Sequence, residues 1–401
     1  MKDDEKPTTD GSEKETDFSV EVRDGAFDRP QDYVGLPEGG EVIFCGDEYC
    51  PKKFTDVAFS RYRMRKIATA DEVKRADGEL AIIAAGGKTA TENGKKVAAK
   101  TGLPIVIFAF DAGYVGYGDR KIEVTDKYGE TRYFTVGEKM KIVFDPSVPQ
   151  DGDRVAAGYG AICSSLVFLF EKEVRSLLCG ENYDRKTAAE ALRAVADMIK
   201  TEAVSATRAV TEGLAALTKA FRGERFLGGE SVAKVAELIG KRKSREENAA
   251  YFARETLAVY RAIMRVVTPA IVVPDLNARL DFMAKRFGVS PVVLTKTLGK
   301  YLSAREIAQK TYCVREFAPE LDLKAAAYLK ILDFAAKRFK RLYKDRGFSY
   351  NGYARAEEKK LCFALAPEVG LPFTLLDLAR QTGLSDALLQ RTKDEPLAQK
   401  H

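Results

Sequence analysis

A chain of 401 residues, 45% hydrophobic and 31% charged, is long enough to bury two cores and too evenly mixed for a disordered or fibrous protein. A net charge of +6 permits attraction to anions without demanding nucleic acid, and six scattered cysteines fit free thiols in a reducing compartment. The one histidine is His401, so the folded part lacks the commonest metal ligand and neutral-pH acid–base group.

No apolar run approaches the length of a membrane span, and Met1-Lys2-Asp3-Asp4-Glu5 lacks the apolar core of a leader. A cytoplasmic protein with no membrane partner is expected. Residues 1–37 read as a disordered or loosely attached tail, with Phe18–Val22 alternating enough for a short edge strand. Glu41–Cys45 reads as a strand ended by Gly46-Asp47. A helix over Pro51–Ser60, a strand over Arg63–Ile67 and a helix over Ala70–Ala76, capped by Thr69, follow.

Leu80–Ala84 is a continuous apolar run, as a strand buried on both faces requires. Gly86-Gly87-Lys88 comes next, then a helix over Thr89–Thr101 stopped by Gly102-Leu103-Pro104, then a second buried strand over Ile105–Phe108. This is a βαβ unit and predicts a parallel sheet. A polar hairpin spans Lys121–Phe134, and Lys141–Phe144 is another strand.

Pro146, Pro149 and Gly152 mark a joint, and helical patterns dominate beyond it. Helices are predicted over Val155–Glu173, Thr187–Phe221, Ser231–Leu238, Arg245–Val266, Leu276–Phe287, Val292–Leu302, Leu323–Tyr343 and Phe373–Thr382. The predicted fold is α/β: a doubly wound, Rossmann-like domain over 38–150, joined to an all-α domain over 151–391, with a loose end over 392–401. The basic stretch Lys337–Arg346 interleaves aromatics with cations, as a surface for single-stranded nucleic acid would. Phe339, Leu342 and Tyr343 also fit the core face of a helix, and that reading is preferred, with no nucleic-acid partner.

In a doubly wound sheet, ligands bind beyond the carboxyl ends of the strands. Gly46 and Asp47, then Gly86, Gly87 and Lys88, then Phe110 and Asp111, all lie at such ends. They are expected to share one cleft and to hold a nucleotide cofactor. The glycine pair would let backbone N–H groups approach a phosphate at a helix N-terminus, with Lys88 adding a cation. A tight turn with no ligand needs the same two glycines.

Gly86-Gly87-Lys88-Thr89-Ala90-Thr91-Glu92-Asn93-Gly94-Lys95, with Pro104 further on, resembles the G-G-G-x-x-x-D-x-A-K…P segment of one superfamily. It contains the iron-containing alcohol dehydrogenases, glycerol-1-phosphate dehydrogenases and dehydroquinate synthases. Lys88 replaces the third glycine, Glu92 the aspartate and Gly94 the alanine. Ile142–Pro146, Pro149, Arg154 and Ala157-Gly158-Tyr159-Gly160 are similar to a strand-D-P…P…R…A-G-x-G passage. Glu368-Val369-Gly370-Leu371-Pro372 is similar to a late G-L-P turn. The resemblance spans roughly residues 38–385 and is nearest to glycerol-1-phosphate dehydrogenase.

The resemblance implies a dehydroquinate synthase-like fold, NAD or NADP as cofactor, a small-molecule substrate and a metal between two domains. A homodimer would fit this architecture. The metal ligands do not carry over. Ala161 follows the A-G-x-G motif where an acidic ligand is usual, Glu247-Asn248 stands in for an E-H dyad, and no later histidine exists. No tightly bound metal is expected. Ala109-Phe110-Asp111-Ala112-Gly113 also lacks both hydroxyls of the family's P-T-x-x-S turn.

Two readings remain open from sequence. One is an NAD(P)-dependent oxidoreductase acting without the metal on a hydroxylated or phosphorylated compound, with Tyr114, Tyr117 or Tyr159 as electrophile and Lys88 or Lys139 tuning it. The other is a non-catalytic binder of a nucleotide or phosphometabolite. A metal-free lyase or synthase of the dehydroquinate type is a third, lesser alternative. The spacing singles out no catalytic residue.

Overall fold

The computed structural model describes residues 18–73, 77–125, 131–136, 139–201, 206–240, 244–266, 277, 281–282, 284–285, 302–342, 356–369 and 372–383. Six strands form one sheet, all neighbours parallel: β1 (Phe18–Val22), β2 (Glu41–Gly46), β3 (Arg63–Ile67), β4 (Ala81–Gly86), β5 (Ile105–Ala109) and β8 (Met140–Phe144). Their order is β1-β8-β5-β4-β2-β3. Strands β4 and β5 are buried at every position, as their unbroken Ala, Ile, Val and Phe runs require. The outermost strands β1 and β3 are less buried and carry Glu21, Arg63 and Arg65 at the edges. A separate antiparallel ribbon pairs β6 (Lys121–Thr125) with β7 (Thr131–Thr135), where the sequence places its polar hairpin.

Residues 18–37 are not a loose tail. β1 pairs with β8 from Phe18↔Met140 to Val22↔Phe144, and Ala26, Phe27, Tyr33 and Val34 are buried. Phe27 carries this correction: its ring packs on Phe54, Phe108 and Phe110 beneath the sheet. Residues 1–17 and 392–401 lie outside the described residues.

Short helices α1 (Gln31–Val34) and α2 (Lys52–Arg61) cover this face with Phe54 and Tyr62. The other face carries α3 (Lys88–Thr101), which ends at Gly102 with φ 73°. Of the helix predicted over Ala70–Ala76, residues 74–76 lie outside the described residues, and the rest is a 3-10 turn, Ala70–Glu72, held by Thr69 N–H donating to the Glu72 carboxylate at 2.9 Å.

Every described element after Asp151 is helical. α4 (Gly152–Cys179) starts at an Asp151 cap that accepts Asp153 N–H at 2.9 Å. By length and composition α4 could span a membrane, which the sequence reading did not anticipate; its apolar window is 94% buried inside the protein, so it is a core helix. Around it lie α5 (Arg185–Lys200), α6 (Ala206–Ala220), α7 (Glu230–Gly240) and α8 (Arg245–Val266). The single helix predicted over Thr187–Phe221 is two, because Thr201 adopts extended backbone (ψ 147°) and its N–H turns back to Met198 O.

The last helices are α9 (Ala304–Leu342), α10 (Ala356–Leu365) and α11 (Leu375–Gln381). α9 begins nearly twenty residues before the predicted Leu323, at a capping box in which Ser303 N–H meets the Glu306 carboxylate at 2.8 Å. Pro319 lies inside it and interrupts the pattern that sequence reads. α10 has no counterpart among the predicted helices. Phe339 is buried against Tyr159 while Lys337 is exposed, as a helix with one core face requires. Of the helix predicted over 276–287 only 277, 281–282 and 284–285 are described, and of the one over 292–302 only Leu302. One apolar cluster runs from Ile43, Ile82 and Ile142 of the sheet into Leu166, Leu214 and Leu257 of the helices.

Candidate functional site

The strand order fixes where a crevice opens. From β2 the chain steps outward to β3, then returns past β2 to β4 and continues to β5. The direction reverses between β2 and β4, and their carboxyl ends hold Gly46-Asp47 and Gly86-Gly87. The predicted residues do converge here. The Asp47 carboxylate accepts N–H bonds from Gly87 at 3.0 and 3.1 Å, from Ala90 at 3.0 Å and from Tyr49 at 3.1 Å. It therefore satisfies two of the exposed donors at the start of α3. Burial raises the Asp47 carboxyl above its ordinary pKa, and those three N–H groups oppose the rise.

Asp111 lies against the same turn. A Cβ on Gly87 would come within 2.8 Å of Asp111 Oδ2 and 2.9 Å of Tyr49 Cδ2. Asp111 is fully buried and forms a two-pronged pair with Arg154, whose Nε donates to Oδ1 at 2.7 Å and whose Nη2 reaches Oδ2. The Arg154 guanidinium covers the Tyr49 ring at 4.9 Å. Phe110 contributes only its backbone, its N–H donating to Gly86 O at 3.0 Å, while its ring faces the Phe27–Phe54 cluster. Adjacent residues leaving a strand point to opposite sides, so Phe110 and Asp111 part company.

A cavity of about 990 Å³ lies beside this crevice, between α3, the β6–β7 ribbon and the helices. Lys88 lines it, as do Glu92 and Lys95 of α3, Phe168, Lys172 and Arg175 of α4, and Pro372 of the late G-L-P turn. Its wall holds seven basic and five acidic side chains. Many are paired: Lys172 with Glu224 at 2.5 Å, Arg175 with Glu181 at 2.9 Å, Arg245 with Glu230 at 3.2 Å. Lys95 is buried, which lowers its pKa to about 8, and its Nζ donates to the carbonyls of Gly116 at 2.5 Å and Asp119 at 2.6 Å.

Of the three candidate tyrosines, Tyr114 alone lines the cavity. The Tyr117 hydroxyl accepts Asp111 N–H at 3.0 Å and lies as close to Gly86 O, tying the two strand ends together. The Tyr159 hydroxyl donates to Ala335 O at 3.1 Å, in the core. Burial raises the Tyr114 phenol well above its ordinary pKa, so it stands as a neutral donor. Lys172, Arg175, Arg225 and Arg245 were not singled out from sequence. Lys172 and Arg175 share α4, but Arg225 and Arg245 come from elsewhere in the chain, and no motif joins the four.

The metal implied by the resemblance does not fit these residues. Ala161 is buried in α4 and offers no donor. Glu247 closes a capping box, accepting Ser244 N–H at 2.8 Å while its own N–H donates to Ser244 Oγ at 3.2 Å. Glu246, next to it, is buried 3.8 Å from Arg225. Among the described residues no three of His, Cys, Asp and Glu converge as ligands. The six cysteines are free thiols.

Glu171 sits behind the cavity wall, accepting the Tyr260 hydroxyl at 2.5 Å and Gly229 N–H at 3.2 Å. Burial pushes its carboxyl up to about 7, against the pull of Tyr260, Arg175 and Gly229. A folded pKa above the unfolded one gives stability that is complete below about 4.5 and lost as pH rises to about 7. We expect Glu171→Gln to flatten this slope, gaining on the order of 2–3 kcal/mol relative to wild type between pH 4.5 and 8. Urea midpoints of both proteins at the two pH values test this; identical slopes would refute it.

No family model matches this sequence, and no curated protein matches it. Solved structures do share its fold. Maleylacetate reductase from Agrobacterium tumefaciens aligns with TM-score 0.55 at 14% identity, over 94% of this chain and 97% of that one. An iron-containing alcohol dehydrogenase from Corynebacterium glutamicum gives 0.52 at 13%, over 92% and 95%. Glycerol dehydrogenase from Schizosaccharomyces pombe gives 0.50 at 16%, over 82% and 92%. The chain thus has the dehydroquinate synthase-like fold of the iron-containing alcohol dehydrogenase superfamily, as its motifs anticipated.

Proposed function

We propose that this chain uses a dehydrogenase fold to bind an anionic small molecule, a phosphorylated metabolite by class, and does not perform metal-assisted hydride transfer. The observation that carries the reading is the cation-rich wall of the cavity, with Lys88 at its rim unpaired among the described residues. Dianions gain most from cations that are already positioned and partly desolvated. Arg175 and Arg225 are of that kind, with side chains 7% and 14% exposed.

Calorimetric titration of the full chain with a phosphorylated polyol, its unphosphorylated parent and inorganic phosphate tests this. Saturable binding of the phosphorylated compound alone is expected, weakened about tenfold in Lys88→Ala, as one charge-assisted contact implies. Equal affinity for the parent, or chelator-sensitive turnover with NAD(P)H, would overturn it.

A second reading, metal-independent carbonyl reduction, is favoured by Tyr114. Its neutral phenol at the cavity wall is suited to donate a hydrogen bond to a carbonyl oxygen. Absorbance screening with NADH and NADPH separates the two readings.

A further inference from the structure

The nucleotide cofactor implied by the sequence resemblance conflicts with what fills the switch-point crevice. We propose that Asp47 is a built-in substitute for a ligand phosphate, and that it excludes dinucleotides from this site. The proposal concerns the crevice rather than the cavity, so it stands independently of the ligand that the cavity takes.

A phosphate at the start of α3 would need the N–H groups of the first turn and the positive end of the helix dipole. Two of those N–H groups, Gly87 and Ala90, and the positive end of the dipole already face an anion from the neighbouring strand. The Asp47 carboxylate holds Gly87 N–H with both oxygens and Ala90 N–H with one. It is fixed on its own side by Tyr49 N–H at 3.1 Å. Gly86 has φ 146°, and a Cβ there would lie 2.5 Å from Asp47 Cγ, so the carboxylate is seated directly on the turn.

The surroundings reinforce the exclusion. Asp111 puts a second carboxylate against Gly87, and the Tyr49 ring closes the remaining approach. Arg154, which covers the Tyr49 ring, is committed to Asp111. An incoming diphosphate would meet two carboxylates and an aromatic wall, with the Gly87 and Ala90 N–H groups already taken. An ordinary helix cap accounts for the bonds to Gly87 and Ala90, but it predicts no change in nucleotide affinity when it is removed.

That difference is the test. Full-length wild type, Asp47→Ser and Asp47→Asn are titrated with ADP-ribose and NADH by calorimetry, with thermal melts recorded on each. Serine keeps a short cap acceptor and empties the nest; asparagine keeps the size and removes the charge. Wild type is expected to show no saturation at millimolar nucleotide. Asp47→Ser should bind ADP-ribose at least tenfold more tightly than wild type, with Asp47→Asn between them. Folded variants that gain nothing would reduce Asp47 to a cap. Tight NADH binding by wild type that weakens in either variant would make Asp47 a ligand contact. Should Asp47→Ser fail to fold, the comparison of Asp47→Asn with wild type decides alone.

Discussion

Gly86→Val should leave little folded protein. Gly86 sits at φ 146°, a region that residues with a Cβ rarely enter, and such strain costs about 1–3 kcal/mol. A Cβ would also overlap the Asp47 carboxylate and push it off Gly87 and Ala90. A lost helix cap costs about 1 kcal/mol more. The sum, about 3–5 kcal/mol with the steric overlap, is a large part of the 5–15 kcal/mol that holds an ordinary domain. Soluble yield and the urea midpoint against wild type measure it, and Gly86→Ala in an Asp47→Gly background should recover part of the loss. Wild-type stability in Gly86→Val would show that the carboxylate moves aside freely. A bulky residue at Gly86 therefore reports on folding and not on ligands, which is why Asp47 is the position to vary.

The scaffold was largely readable in the residues, and the chemistry of the crevice was not. Strands β4 and β5 are unbroken apolar runs, and the glycine turn, α3 and Gly102 follow with ordinary stop signals, so the βαβ unit could be placed from sequence. Asp47, Gly86, Gly87 and Asp111 were brought to one crevice for the same reason: strand ends in a doubly wound sheet must meet there. The role of Asp47 was hidden because its partners are backbone N–H groups, which every sequence has. Phe110 was misplaced because one register position separates crevice from core. The helical half was harder. Pro319 hid the first half of α9, and the break at Thr201 has neither proline nor glycine to mark it. The cations of the cavity come from α3, β6, α4, the segment before α7 and the start of α8, and only the fold assembles them.

Arg380→Met should destabilise the helical half by about 3–5 kcal/mol, the usual cost of leaving one member of a buried ion pair behind. Arg380 and Glu368 have side chains 1% and 0% exposed and lie 3.3 Å apart, joining α11 to the 3-10 turn Ala366–Val369. The same guanidinium lies 3.9 Å from Asp377, whose carboxyl burial has already pushed up to about 6. Methionine fills much of the space and removes the charge, so the loss falls on the buried Glu368 carboxylate rather than on packing. The pair itself gains little over a neutral replacement of the same shape, because both charges were taken out of water to form it. The double variant Arg380→Met with Glu368→Gln should therefore recover more than half of the loss. Urea denaturation of wild type, both single variants and the double variant completes the cycle. Additive losses, with no recovery in the double variant, would mean that Arg380 acts through its hydrogen bond to Pro367 O and its packing, and that the pair with Glu368 contributes no coupling.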